Sequence, residues 1–173
     1  MITISIVIPV LNGESQIRDC VTSLINQDFQ KDQYEIIVVD NGSKDNTINI
    51  LTEYNEHIMI VHESGKGSYI ARNAGIKVSK GNIIAFIDSD CIADKNWLKE
   101  LCNGPLSEVS GDIGCVVGSV IPHHGKTLVE MFSKNKDLLS QKTTLDSNFL
   151  PYGQTANVAF RKEVFDIIGI LSI

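Results

Sequence analysis

No apolar run in the chain approaches the roughly 20 residues of a membrane span, which argues against an integral membrane helix. The first residues, MITISIVIPV, lack the basic n-region of a signal peptide and read instead as an opening strand. Cysteine is sparse. Cys20, Cys91, Cys102 and Cys115 have no metal-ligand spacing and lie in helix- or strand-like segments, so buried thiols in a reducing cytosol are expected. Positive charge is in deficit, 15 Lys and Arg against 21 Asp and Glu, and the net charge of −6 argues against nucleic acid as partner. An anionic small ligand stays open, because it needs only local positive groups or a metal. Repeats, linkers and low-complexity tracts are absent. So are three motifs. Without GxxxxGK[ST] the chain is no P-loop NTPase, and without GxGxxG after the first strand it is no dinucleotide dehydrogenase. Without GxSxG it is no serine hydrolase. His123 and His124 are adjacent and would face opposite ways on a strand, so they read as a solvated turn after Pro122 rather than a metal site.

What is present suits one soluble domain. The 173 residues allow a sizeable core, and 43% apolar with 21% charged residues is ordinary for a globular protein. Strand-like runs alternate with helical patterns. Strands are predicted at Ile4 to Pro9, Glu35 to Val39, Ile58 to Val61, Ile83 to Ile87, Gly114 to Val120 and Asn157 to Arg161. Helices are predicted from Ser15 to Asn26, with Ile17, Val21, Leu24 and Ile25 on one face, and from Asp45, with Ile48 and Leu51 inward. Others follow at Tyr69 to Val78, Lys95 to Cys102, Leu128 to Leu139 and Lys162 to Ile168. This order predicts an α/β fold with a mainly parallel sheet covered by helices on both faces.

The most informative stretch is Gly81 to Asp94, GNIIAFIDSDCIAD. A buried apolar strand ends abruptly in Asp88-Ser89-Asp90. In extended chain, residues two apart point the same way, so both carboxylates can converge. Such a hard-oxygen pair suits Mg²⁺ or Mn²⁺, which usually bind through one or two carboxylates plus a substrate's phosphates. Two other strands also end in polar clusters, Pro9 to Glu14 and Asp40 to Ser43. In an open α/β sheet ligands bind at the carboxyl edge, where all three clusters meet. Asn12 and Ser15 are open between ligand contacts and a turn with a helix cap. Ser43, Asp45 and Asp94 read as caps. Asp40 ends a fully apolar strand, where no cap is yet needed. Arg72 and Asn73 follow the loop Glu63 to Gly67, whose Lys66 is open between facing phosphates and facing solvent.

The segments SIVIPVLNGE, EIIVVDNGSKDNT, ARNAG and AFIDSD, in this order, resemble the family 2 glycosyltransferases of the GT-A fold. The resemblance covers nearly the whole chain. It implies a single GT-A domain, with a nucleotide-sugar-binding half at 1–122 and a partial acceptor-side half at 123–173. It further implies that Pro9 and Glu14 line the nucleoside site and that Asp40 accepts from the base. Arg72 belongs to a nucleotide-contacting motif, and Asp88, with Ser89 beside it, holds the ribose. Asp90 would hold the metal, Mn²⁺ or Mg²⁺, that bridges the diphosphate. In the segment Gly153 to Lys162, Gly153 and Ala156 would leave room near the sugar.

The implied reaction is metal-dependent, inverting transfer of a sugar from a nucleotide-diphosphate donor to an acceptor hydroxyl of a glycan, lipid or protein. An imide N–H on Asp40 and a carbonyl on Arg72 fit uracil or thymine, and guanine could also satisfy the pair; a UDP-linked sugar is the expected donor. In the family an acidic phrase and a Glu-Asp pair follow a segment like FRKEVFDIIGIL, and the Asp of that pair is the usual base. Neither is in this sequence. The alternative expectation is therefore a truncated nucleotide-sugar-binding domain with little or no transferase activity. Of the remaining acids, Glu130, Asp137, Asp146, Glu163 and Asp166, none sits in the matching phrase. A nucleotidyltransferase lacks support, since no glycine- and arginine-rich loop follows the first strand. The apolar cluster of Ile167, Ile168, Ile170, Leu171 and Ile173 predicts association of copies through the C-terminal end. A cytoplasmic location is expected, with peripheral membrane attachment left open.

Overall fold

A computed structural model describes residues 3–103, 106, 113–121 and 155–171. The elements run β1 (Ile4–Val10), α1 (Ile17–Ile25), β2 (Tyr34–Asp40), α2 (Thr47–Thr52), β3 (Met59–His62), α3 (Ser68–Val78), β4 (Ile83–Ile87), α4 (Trp97–Asn103), β5 (Cys115–Val117), β6 (Asn157–Arg161) and α5 (Lys162–Ile168). The predicted helix from Leu128 to Leu139 and the His123-His124 pair lie outside the described residues.

The strands form one sheet in the order β3-β2-β1-β4-β6-β5. β1, β2, β3 and β4 are parallel. β6 runs antiparallel to both β4 and β5. The sheet is thus mostly parallel, as the alternating pattern predicts, with a reversed edge that periodicity alone does not reveal. β6, from the segment after 123, thus pairs into the sheet built by the first 87 residues.

β1 is buried at every position, and the period-2 rule divides its side chains between two cores. Ile4, Ile6, Ile8 and Val10 pack with Ile36, Val38, Ile83, Ala85 and Ile87 under α1, α2 and α4. Val7 packs on the other face with Ile37, Val39, Ile84 and Phe86, beneath α3 and Phe165 of α5. On that face α3 lies unusually close. A Cβ on Gly75 would stand 2.3 Å from Val7 Cγ1, so only glycine lets the helix backbone approach β1 this far. This clamps α3, which carries Arg72, against the middle of the sheet.

The starts of α1, α2 and α4 fall two residues later than predicted, while α3 and α5 start at or within one residue of the predicted position. Ser15 donates to Gln16 Oε1 and caps nothing, and α1 begins at Ile17 with Gly13 O accepting from Gln16 N and Ile17 N. Asp45 does act near a helix start, its Oδ1 accepting from Thr47 N at 3.1 Å, but α2 opens only at Thr47. Asp94 Oδ1 likewise accepts from Asn96 N at 2.8 Å just ahead of α4. Among the described residues, no helix is long and apolar enough to cross a membrane.

Candidate functional site at the carboxyl edge of the sheet

The carboxyl ends of β1, β2 and β4 open on a cleft of about 560 Å³, within the usual range for small-ligand sites. Its walls include Pro9, Leu11 and Asn12 at and after the end of β1, Asn41 after β2, Gly67, Ser68, Ala71 and Arg72 at the start of α3, and Asp88, Ser89 and Asp90 after β4. Thr155, ahead of β6, closes the far side.

Two loops build the first wall, and they are laced together. Asn12 N donates to Ser43 Oγ at 2.9 Å, and Lys44 N returns a bond to Asn12 Oδ1 at 2.8 Å. Gly13 N donates to the buried Thr47 Oγ1 at 2.8 Å. Glu14 N donates to Asp45 Oδ2 at 3.1 Å, while Glu14 Oε2 accepts from Asn46 N at 2.8 Å. Asn12 reaches this geometry with φ +54, a conformation that asparagine tolerates better than most residues. Asn12 therefore serves as a cross-loop bridge rather than a cap. Glu14 spends its carboxylate on the neighbouring loop and is not among the cleft-lining residues. Sequence reading took Ser43 and Asp45 as caps alone, whereas both also hold this wall.

Asp40 is buried, with 5% of its side chain exposed. Its Oδ2 accepts from Gly42 N and its Oδ1 from Ser43 N, at 3.2 and 3.1 Å. His62, its register partner on β3, brings Nδ1 to 3.6 Å from Oδ2. A carboxylate offers about four lone-pair sites, so capacity for a further donor remains. Asp40 stands behind the cleft wall rather than in it. Asn41 is the residue that lines the cleft from β2, and sequence reading missed it. Its Nδ2 donates to Glu63 O at 3.1 Å and to Gly65 O, and its Oδ1 accepts from Gly67 N at 3.2 Å. One amide side chain thus shapes the whole Gly65–Gly67 loop.

Opposite lies Arg72, with 7% of its side chain exposed, reaching Asp88 Oδ1 at 2.5 Å. Its Nε is buried without a hydrogen-bond partner. Buried polar groups are nearly always satisfied, so such an orphan donor in a cleft marks a place for an acceptor. Asn73, the next residue, does not join the cleft. It bonds the C-terminal segment at Leu171 instead.

The Asp-x-Asp motif departs from its expected geometry. β4 ends at Ile87, and Cys91 N donates to Asp88 O at 3.0 Å, closing a turn. Asp88 and Asp90 therefore do not follow strand alternation. Both line the cleft, but Arg72 engages one, while Asp90 is exposed and accepts only a long 3.7 Å contact from Cys91 Sγ. Among the described residues no three acidic, His or Cys side chains gather into a ready metal cage. The donor set nonetheless fits Mn²⁺ or Mg²⁺, which take hard oxygens and need only one or two from protein when phosphates supply others. Cys91 does not compete. Burial, and then the carboxylates of Asp90 and Asp88, push its thiol up to about 12, so it stays protonated at neutral pH. Cys20 is pushed up to about 12 by burial, then by Cys91, Asp90 and Asp88. Cys20 is buried as expected, whereas Cys91 is half-buried and Cys115 exposed, against the expectation of buried thiols.

On the far side, Ala156 is half-buried beside Thr155, and Gly153 lies outside the described residues. Trp97 Nε1 donates to Asn157 Oδ1 at 2.9 Å, tying α4 to the start of β6. Glu163 and Asp166 are exposed on α5 and do not line the cleft. Glu130, Asp137 and Asp146 lie outside the described residues.

The match to known proteins follows this geometry. The chain is 31% identical to the glycosyltransferase AglE of Haloferax volcanii, over 96% of this chain and 55% of that protein. The fold superposes on Staphylococcus aureus TarS 1-349 in complex with UDP, with TM-score 0.75 at 21% identity, over 96% of this chain and 48% of that one. It also superposes on the mannosyltransferase PcManGT from Pyrobaculum calidifontis in complex with GDP-Man and Mn²⁺, with TM-score 0.73 at 19% identity, over 98% and 47%. The chain spans about half the length of these relatives. Its fold is GT-A. The model of the glycosyl transferase family 2 matches residues 5–169, and the chain belongs to that family.

Proposed function

We propose that the cleft binds a nucleotide-diphosphate sugar, UDP-linked, and that the protein transfers the sugar to an acceptor hydroxyl with inversion, aided by a divalent cation. The observation that carries this reading is the pairing of opposite chemistries in one cleft. The carboxylates of Asp88 and Asp90 line it together with the buried Arg72, which pairs with Asp88 and keeps its Nε unsatisfied. The named complexes support it: TarS with UDP, PcManGT with GDP-Man and Mn²⁺, and the glucosyl-3-phosphoglycerate synthase of Mycobacterium tuberculosis with Mn²⁺ and UDP-Glc. A domain that only binds nucleotide-sugar is less favoured, since the relatives named above are transferases.

In this reading Asp90 holds the cation, and Asp88, oriented by Arg72, accepts from the ribose, with Ser89 alongside. Pro9 forms the nucleoside wall. Glu14 supports that wall through Asn46 rather than touching the donor. Asp40 lies behind the Asn41 wall, and a base seated against that wall would bring its imide N–H to the remaining Asp40 lone pair while Arg72 donates to the base carbonyl. When bound, Mn²⁺ or Mg²⁺ offsets negative charge on the departing diphosphate. A general base would take the acceptor's proton.

Donor preference is testable directly. With Mn²⁺ present, UDP at 100 times its Kd should stabilise the fold by about 2.7 kcal/mol. That is a rise in Tm of about 5–10 °C for a domain of this size. UDP and dTDP should outrank GDP and ADP in a thermal-shift series. If ADP stabilised most, the assignment of Asp40 and Arg72 to the base would be wrong.

The apolar C-terminal end is only partly open. Ile167 and Ile170 are 80% and 46% exposed, but Leu171 is half-buried against the Val7 and Phe86 core, correcting the expectation that the whole run is free. We propose association of copies through the two exposed isoleucines. Light scattering should give more than the monomer mass for this chain and a lower mass for one ending at Phe165. A clean monomer at high concentration removes the idea.

A further inference from the structure

Asn73 sits next to Arg72 on α3, yet the two side chains do different things. Successive helix residues diverge by about 100°, so one helix can address the cleft and its flank at once. Asn73 is 7% exposed and spends both ends of its carboxamide on one backbone unit. Nδ2 donates to Leu171 O at 2.7 Å, and Leu171 N donates to Oδ1 at 3.0 Å. The partners are 98 residues apart in sequence. The geometry reads main chain, so the side chain at 171 is not what Asn73 recognises. Gly169 makes this return possible. It ends α5 with φ +84, a left-handed turn that glycine adopts without a Cβ penalty. The chain then doubles back onto α3, and Leu171 packs against the core cluster that holds Val7, Phe86 and Phe165.

α3 is a stiff connection between these two contacts. Gly75 seats it directly on Val7 of β1, and Ala71 and Ile76 are buried in the same core. Arg72 is the under-determined member, held by one ion pair and with its Nε unpartnered. A ligand that satisfies Arg72 fixes the helix turn from which Asn73 projects.

We propose that Asn73 is a positioning residue that couples the nucleotide cleft to segment 169–171, so that filling the cleft beside Arg72 tightens the hold on Leu171. The coupling rests on the reading of the cleft as a nucleotide site. The latch between Asn73 and Leu171 does not. This gives the acceptor-side segment a response to donor binding that passes through one side chain.

Hydrogen exchange at the Leu171 amide tests both parts on the intact 173-residue chain. In the wild type, UDP with Mn²⁺ should slow exchange of this amide severalfold. Asn73→Asp keeps an acceptor for Leu171 N but loses the donor to Leu171 O. Without ligand it should exchange faster by up to roughly tenfold, the worth of one hydrogen bond. UDP should still bind it within about threefold of wild type, since the donor groups of the cleft are untouched, but should no longer slow the amide. Gly169→Val strains the turn from the other side and should uncouple the segment in the same way, which covers the case of a poorly folding Asn73 variant. Ser79→Ala removes a bond to Gly75 O on the same helix and should leave the response intact. Persistence of the UDP effect in Asn73→Asp overturns the proposal, as does equal loss in Ser79→Ala or UDP binding to wild type without slowing. Unchanged ligand-free exchange in Asn73→Asp overturns the latch itself. Failure of UDP to bind wild type overturns the nucleotide reading and the coupling together, while the ligand-free comparison still judges the latch.

Discussion

Replacing Asp90 by alanine is expected to remove the Mn²⁺-dependent part of UDP binding while leaving the fold intact. The side chain is exposed after β4 and is bonded only through the long Cys91 contact, so its loss opens no core cavity. Its proposed role is as a protein ligand to the cation. Groups that merely orient a metal ligand cost roughly 10–100-fold in metal affinity when removed. Loss of a ligand itself should therefore cost about 100-fold or more. Calorimetry of UDP with Mn²⁺ and with EDTA, on the wild type and the variant, reads this directly. The wild type should lose most of its affinity in EDTA, and Asp90→Ala should bind weakly in both. Equal wild-type affinity in Mn²⁺ and EDTA, or an Asp90 variant that still responds to Mn²⁺, rejects the assignment. Asp88→Ala gives a different pattern. It leaves Arg72 without its ion-pair partner, so metal-independent binding should fall as well.

Thr47→Val should cost about 1–3 kcal/mol, the penalty for leaving a buried donor unsatisfied. Valine matches threonine in shape, so packing is nearly kept and the hydroxyl is the difference. Thr47 Oγ1 accepts from Gly13 N and donates to Asp45 Oδ1, and Asp45 in turn accepts from Glu14 N. With the hydroxyl gone, the lacing between the two loops fails in its buried middle. The expected fall in Tm is about 2–12 °C. UDP affinity should also drop, because Asn12 and Gly13 line the cleft. Thr47→Ser retains the hydroxyl and should restore the affinity while losing only a methyl's worth of packing. If Thr47→Val bound UDP as tightly as the wild type, the cleft wall would not depend on the lacing.

The sheet was largely legible from residue patterns. Ile83-Ile84-Ala85-Phe86-Ile87 is continuous and apolar because both faces are covered, and its bounds match β4. β6 also matches its predicted bounds. Helix starts were less legible. A serine or aspartate ahead of an apolar pattern signals a cap, but here Ser15 and Asn12 bond elsewhere, and Asp45 divides its oxygens between α2 and Glu14 N. Such long-range bonds leave no local trace. The carboxyl-edge convergence was readable, since Pro9, Arg72, Asp88, Ser89 and Asp90 all line one cleft. The placement of Glu14 and Asp40 behind the wall was not. Asn41 was hidden by its resemblance to a turn residue, and Thr155 by a reversal of strand direction that no periodicity encodes. The geometry of Asp88 and Asp90 went astray because strand alternation was extended to Asp90, past the strand's end at Ile87.

That reversal bears on the order in which the molecule assembles. Three parallel pairings join elements within the first 87 residues, whereas Ile87 meets Asn157 only after a long intervening stretch of chain has been closed. Closing a long loop costs entropy before its contacts repay it, so non-local pairings form late. During synthesis the N-terminal segment also emerges first. The wall that carries Asn12, Asn41 and Arg72 can therefore take shape while Thr155 is still unmade. Under the proposed function, the acceptor side would close onto an existing nucleotide side, and a nascent chain would bind nucleotide before it could enclose a sugar.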